Sequence, residues 1–277
     1  MGASERREDF SLTLGRYAVE RFLYRISISD VREQFVLKGA LLFELWFDEP
    51  HRPTRDADFL GSGEKDAETL TRTIRAVCAI HADDGMSYDR ATVTTTEIRE
   101  EANYGGLRVK LRGRLGKADS AVQLDVGYGD AVTPAALEVE LPRLLDDQPA
   151  ARLRAYPRET VVAEKLEAIV KLGMINSRMK DYFDLHALRR ENATDEHDLV
   201  RAIAASFRRR GTPIPEELPA GLSREFAHDR QKQAQWSAFL TKNRLASSSL
   251  EAVVESLAVW LLPTMREASK KQRGRGP

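Results

Sequence analysis

Two aspartates one residue apart, Asp56 and Asp58, are the side chains in this sequence whose type and spacing bear most directly on chemistry. They lie in Asp56-Ala57-Asp58-Phe59-Leu60, which reads as a strand. Residues two apart on a strand share a face, so the two carboxylates stand side by side while Ala57 and Phe59 turn to the core. Two close carboxylates repel at neutral pH unless a cation or a proton lies between them. A hard divalent cation suits all-oxygen ligands, and Mg2+ (or Mn2+) is the usual one where phosphates take part. A D-x-D alone also occurs in solvated surface loops. Here it closes one compact run, FVLKGALLFELWFDEPHRPTRDADFLG. In that run a strand ends at Lys38-Gly39, a short apolar helix covers Ala40–Phe47, a loop holds Pro50 and Pro53, and the D-x-D strand closes the run. A glycine turn that opens a helix lets backbone N–H groups approach an anion. Phosphates on one side and metal-binding carboxylates on the other describe a nucleoside triphosphate site.

Further residues fit the same chemistry. Asp125 sits on the polar face of a strand whose other face carries Val122, Leu124 and Val126. Such a carboxylate is commonly just solvated, but beside a D-x-D strand it becomes a third metal ligand, or the group that orients an attacking hydroxyl. Lys165 borders the apolar row of a helix, where it either snorkels to water or neutralises a triphosphate. Arg178-Met179-Lys180-Asp181 opens another helix on which Asp181 and Asp184 share a face. They form surface ion pairs there, or one wall of a nucleotide pocket together with Lys180. Arg108, Lys110, Arg112 and Arg114 alternate along one strand. That row is a solvated face, or a strip that holds an RNA backbone by phosphate contacts.

The elements that must position these groups are read from periodicity. A helix is expected over 8–28, with Leu14, Ala18, Phe22 and Ile26 in one row, and another over Asp66–His81. Strands are expected over Ala91–Arg99, Leu107–Leu115 and Ala121–Gly127, joined by turns at Asn103–Gly106 and Gly116-Lys117 into a meander. With the two strands around the D-x-D they form one mixed sheet. From about Arg158 onward the pattern is helical. The helical segments are Glu159–Leu172, Met179–Arg190, Glu196–Arg209, Leu222–Ala227, Asp229–Lys242 and Leu250–Leu262, the last stopping at Pro263. The tail Lys270–Pro277 reads as disordered. The fold class is therefore α+β, with a core over 1–150 and a helical domain over 151–277.

Length and composition agree. The 277 residues allow one large domain or two smaller ones, and 42% hydrophobic content supplies a core. The net charge is zero, so any polyanion site is a local patch. One cysteine, Cys78, excludes an internal disulfide framework. MGASERRED has no apolar leader segment and no apolar run reaches membrane-spanning length, so a cytoplasmic protein without membrane partners is expected. There is no HExxH, CxxC pair or GxSxG, which removes zinc and serine hydrolase readings.

In order, FVLKGA, RPTRDADFLG, VQLDVGYGD, ETVVAEKLEAIV and RMKDYFDLHALRR resemble the AbiEii/AbiGii toxin family of nucleotidyltransferases over about residues 30–190. The resemblance implies a polymerase-β-like nucleotidyltransferase core followed by a helical domain that completes the nucleotide pocket. It implies Asp56 and Asp58 as metal ligands with Asp125 as the third acidic residue. It places Lys38, Gly39 and Ala40 at the triphosphate, and matches Lys165, Asp181 and Asp184 to blocks needed for toxicity. It further implies a toxin of a toxin–antitoxin system that transfers a pyrimidine nucleotide, from CTP or UTP, to the 3′ end of tRNA and so blocks aminoacylation. The partners implied are tRNA and a cognate antitoxin, a winged-helix AbiEi-like protein or a kinase-like regulator. The chain departs from the superfamily at Ala40, where Ser or Thr commonly succeeds the glycine and contacts a phosphate. Thr54, two residues before Asp56, is expected within reach of the same pocket. Two alternatives stand beside this expectation: transfer to a small-molecule or protein hydroxyl, and a non-catalytic nucleotide- or RNA-binding protein on the same fold.

Overall fold

The computed structural model describes residues 10–47, 51–52, 54, 56–98 and 105–273. Two compact units make up the chain: Met1–Gly129 with Leu137–Ala155, and Asp130–Ala136 with Tyr156–Pro277.

The first unit is built on one mixed sheet. Its strands are β1 (Phe35–Lys38), β2 (Asp56–Gly61), β3 (Met86–Ile98), β4 (Gly106–Leu115), β5 (Ala118–Tyr128), β6 (Leu137–Glu140) and β7 (Arg152–Ala155), in the order β3-β4-β5-β2-β1-β7-β6. β2 runs parallel to β5 and antiparallel to β1, which runs parallel to β7. The α+β class and the mixed sheet match the expectation. Burial alternates along β2, so Ala57 and Phe59 are fully buried while Asp56 and Asp58 are half-exposed. Val122, Leu124 and Val126 of β5 and Leu107, Val109 and Leu111 of β4 line the same buried side. Helix α1 (Phe10–Ser27) packs on β5, and α3 (Ala67–Cys78) packs on β3. Leu14, Ala18, Phe22 and Ile26 of α1 are all buried, and Cys78 on α3 is a core residue whose thiol burial pushes up to about 11.

β6 and β7 have no counterpart in the sequence-based reading. Leu-Glu-Val-Glu and Arg-Leu-Arg-Ala are short and half charged, which masks the strand pattern. Their pairing sets Glu140 opposite Arg152 and Glu138 opposite Arg154, and Arg152 Nε meets Glu140 Oε2 at 2.9 Å. β3 begins at Met86, five residues before the expected Ala91, because Tyr88 and Met86 point into the core. The expected turn residues Asn103 and Tyr104, the loop residues Asp48–Pro50, Pro53 and Arg55, and the N-terminal segment 1–9 lie outside the described residues.

A buried charge cluster ties α1 to the turn before β3. Arg21 Nε donates to Asp84 Oδ2 at 3.0 Å, and Arg25 grips the same carboxylate through both Nη atoms at 2.6 and 2.9 Å. Tyr17 adds a bond to the Asp84 carbonyl at 2.8 Å. Burial raises the Asp84 carboxyl, but Arg25 and Arg21 outweigh it and hold it below the ordinary carboxylate range.

The second unit is helical: α4 (Arg158–Leu172), α5 (Met179–Glu191), α6 (Glu196–Arg210), α7 (Arg224–His228), α8 (Arg230–Asn243) and α9 (Leu250–Arg273). One expectation fails here. α9 does not stop at Pro263 but runs through it to Arg273. A mid-helix proline removes the bond to the carbonyl four residues back, here that of Val259, which is 69% exposed and faces water. Beyond the proline, Met265 and Ala268 are fully buried, and that burial carries the helix onward. Lys270–Arg273, expected to be disordered, therefore belongs to the helix, and 274–277 lie outside the described residues.

Candidate active site

The carboxylates gather on the half-exposed side of the sheet in the first unit. Register sets Asp58 beside Asp125 and Asp56 beside Gln123. Neighbouring strands run about 4.8 Å apart, so these side chains are adjacent. Gln123 Nε2 spans the pair, 3.5 Å from Asp56 Oδ2 and 3.3 Å from Asp125 Oδ1. Thr54 Oγ1 donates to Asp56 Oδ1 at 2.9 Å and so fixes one carboxylate.

Gly39 supplies the wall opposite Asp58. Lys38 ends β1 in register with Asp58, and the backbone then turns at Gly39 with φ +75°. A Cβ built there would lie 2.0 Å from Asp58 Oδ2. Only glycine lets the turn approach the carboxylate this closely. The chain continues as a 3-10 turn, Gly39–Leu41, and the five-residue helix α2 (Leu42–Trp46), shorter than the helix expected over Ala40–Phe47. So short a helix has little dipole to offer an anion. Ala40 is buried in the 3-10 turn.

Asp125 is engaged in a way the sequence did not indicate. Arg108 of β4 lies directly opposite it. Its Nε donates to Oδ1 at 2.8 Å and its Nη2 to Oδ2 at 2.6 Å. The hydrogen-bonded Asp125 raises the guanidinium above its usual range, with Asp56 and Asp58 adding to the effect. Arg108 therefore faces the carboxylates. Lys110 and Arg112 continue the row along the same face and are exposed, and Arg114 Nε pairs with Asp119 at 2.9 Å. Gln123 was legible only as a polar alternate two residues before Asp125.

Among the described residues no three His, Cys, Asp or Glu side chains converge on a metal position. The donor set still fits a hard cation. Mg2+ keeps several waters and takes one or two carboxylates plus substrate phosphates, not an all-protein cage. Asp56 and Asp58 supply that pair, and the Gly39 turn presents backbone, not a side chain, to the Asp58 oxygen.

The Lys165 and K-D-x-x-D blocks meet within the second unit. Lys165 Nζ on α4 lies 2.7 Å from both Asp181 Oδ1 and Asp184 Oδ2 on α5. Arg178 Nε holds the other Asp181 oxygen at 2.8 Å. Both carboxylates are fully buried. Burial raises the Asp181 carboxyl, and Lys165 and Arg178 overcome it, keeping it below the ordinary range. Lys180, next to Asp181, is exposed. A separate cluster sets Arg210 of α6 against Glu167 at 3.0 Å and against Glu164 and Asp130 at 3.3 Å each.

The model of the nucleotidyl transferase AbiEii toxin family, assigned to Type IV toxin–antitoxin systems, matches residues 21–257. The chain belongs to this family. An AbiEii-family chain is a nucleotidyltransferase and the toxin half of a toxin–antitoxin pair, so an antitoxin partner is implied, and the family generally uses a nucleoside triphosphate and a divalent metal. Solved structures from two bacteria are similar to it in fold. One is MenT4, a nucleotidyltransferase toxin from Mycobacterium tuberculosis, at 16% identity and TM-score 0.57, covering 99% of this chain and 92% of the other. The second is JHP933 from Helicobacter pylori, at 16% identity and TM-score 0.50, covering 96% and 95%. No curated protein matches the sequence. No described helix of this AbiEii-family chain is long and apolar enough to cross a membrane.

Proposed function

We propose that this toxin transfers a nucleoside monophosphate, from CTP or UTP, to the 3′ end of tRNA in a Mg2+-dependent reaction (Mn2+ substituting), and so blocks aminoacylation. The observation that carries the metal part is the pairing of Asp56 and Asp58 on one strand face, with Gly39 pressed against Asp58. The observation that favours a polyanionic acceptor is the exposed row Lys110 and Arg112, which leaves the carboxylates along the same face of β4.

In this reading the 3′ hydroxyl oxygen bonds to the α-phosphorus, the bond to the bridging oxygen breaks, and pyrophosphate leaves with the hydroxyl proton released to solvent. A bound divalent ion supplies charge neutralisation at the α-phosphate and at the leaving group. Asp56 and Asp58 would hold that ion. Thr54 orients Asp56 by its hydrogen bond. Lys38, in register with Asp58, brings a positive charge to the triphosphate side. The cognate antitoxin is a separate winged-helix or kinase-like protein.

The test is incubation of purified protein with Mg2+, total tRNA and each α-labelled NTP in turn, read on a denaturing gel. A labelled tRNA band with CTP or UTP is expected, absent in Asp56→Ala. No label from any NTP, with folded protein that inhibits growth, would overturn the tRNA reading and turn attention to a small-molecule or protein hydroxyl.

A further inference from the structure

One rung of charge crosses four strands. Backbone pairing sets Lys38 of β1 beside Asp58 of β2, Asp58 beside Asp125 of β5, and Asp125 beside Arg108 of β4. The signs run plus, minus, minus, plus. The two carboxylates are not equivalent. Asp58 lies against the bare Gly39 turn. Asp125 gives both of its oxygens to Arg108 and takes a third contact from Gln123.

A bidentate arginine–carboxylate pair is fixed in orientation as well as in charge. Two-metal phosphoryl transfer needs bridging carboxylates between ions about 3.5–4 Å apart. A third carboxylate that served a second ion would have to turn an oxygen toward it. Both Asp125 oxygens turn instead toward a guanidinium that already carries the positive charge. The pair uses Nε and Nη2 of Arg108, and the side chain is 37% exposed. Its Nη1 hydrogens are left to meet a phosphate oxygen.

We propose that Arg108 stands where a second metal ion would otherwise act. The chain then works with one divalent cation, held by Asp56 and Asp58, while Arg108 supplies the other positive charge to a substrate phosphate. The proposal rests on the nucleotidyltransferase reading above. Arg108 becomes a catalytic residue and Asp125 the residue that positions it. The phosphate belongs to the triphosphate or to the terminal phosphodiester of the acceptor, which share the same chemistry.

The test counts bound Mn2+ by EPR on the full chain and on single variants. One ion per chain is expected in wild type and in Asp125→Asn, none in Asp58→Asn, and two in Arg108→Gln, where Asp125 is released. Two ions in wild type, with one lost in Asp125→Asn, would overturn the proposal while leaving the metal reading of Asp56 and Asp58 intact. No ion in wild type would overturn both. Steady-state kinetics of Arg108→Lys, which keeps the charge but not the fork, identifies the phosphate. A KM raised about tenfold or more for NTP assigns it to the triphosphate, and the same rise for tRNA assigns it to the acceptor. Unchanged KM and kcat would refute a role at phosphate.

Discussion

Gly39→Ala is the sharpest perturbation the site offers. The added Cβ would lie 2.0 Å from Asp58 Oδ2, 2.7 Å from Cγ and 2.8 Å from Cβ. Ordinary non-bonded contacts lie at about 3.5–4.0 Å, so Asp58 Oδ2 must retreat by about 1.5–2 Å and the Asp58 Cβ and Cγ by about 1 Å. The side chain cannot do so by a small rotation, because its own Cβ is among the clashing atoms. A misplacement of about 1 Å at a reacting centre costs about 100-fold in rate, equivalent to about 2.7 kcal/mol of transition-state stabilisation. The φ of +75° adds backbone strain of about 1–2 kcal/mol for an L-residue. For a chain of this size that lowers Tm by about 2–8 °C. The expected result is therefore a folded variant with kcat/KM reduced about 100-fold, by nucleotide incorporation, and a modestly lower melting temperature. Gly39→Asn separates the two causes, since asparagine tolerates the left-handed region but keeps the Cβ. It should recover part of the stability and none of the activity. A Gly39→Ala protein within threefold of wild-type activity would refute the claim that this turn shapes the metal carboxylates.

Lys165→Ala removes the cation shared by two fully buried carboxylates, and breaking such a cluster costs about 3–5 kcal/mol. A large fall in the thermal or urea midpoint is expected, and an unchanged midpoint with activity lost would move Lys165 from structure to substrate. Acid should destabilise both units. Asp181 and Asp84 have folded pKa values below the ordinary carboxylate value of about 3.9, so their stabilisation is complete above that value and disappears as pH falls toward the depressed ones. Each contributes up to about 1.4 kcal/mol per pH unit in that interval. Urea melts at pH 7, 4 and 3 should show the loss, and Asp84→Asn should flatten the Asp84 part.

How much of this was legible in the sequence depended on range. The period-2 alternation of β2, β4 and β5 and the apolar row of α1 are local patterns, and each produced the element expected. β6 and β7 escaped because half their residues are charged and pair across strands. Pro263 misled because a proline stops a helix by local rules, whereas α9 continues on the burial of Met265 and Ala268. Lys165 and the Asp181, Asp184 pair were singled out separately, but nothing in the spacing between residues 165 and 181 announces an ion pair.

Arg108 marks the same limit at the site itself. The row Arg108, Lys110, Arg112 and Arg114 reads as one basic strip, since four cations alternate on one strand. Register divides it. Arg108 falls opposite Asp125, Lys110 opposite Gln123, and Arg114 opposite Asp119, so Arg108 grips the half-buried Asp125 while Arg112 and Arg114 share the exposed Asp119 and all three of the later cations face solvent. A shift of β4 by two residues along β5 would keep every side chain on its present face yet set Lys110 against Asp125. A lysine there would bring a point charge without the planar fork that fixes both oxygens. The chemistry of the third carboxylate is thus decided by which cation the strand pairing places beside it, a property of the sheet that no single strand carries.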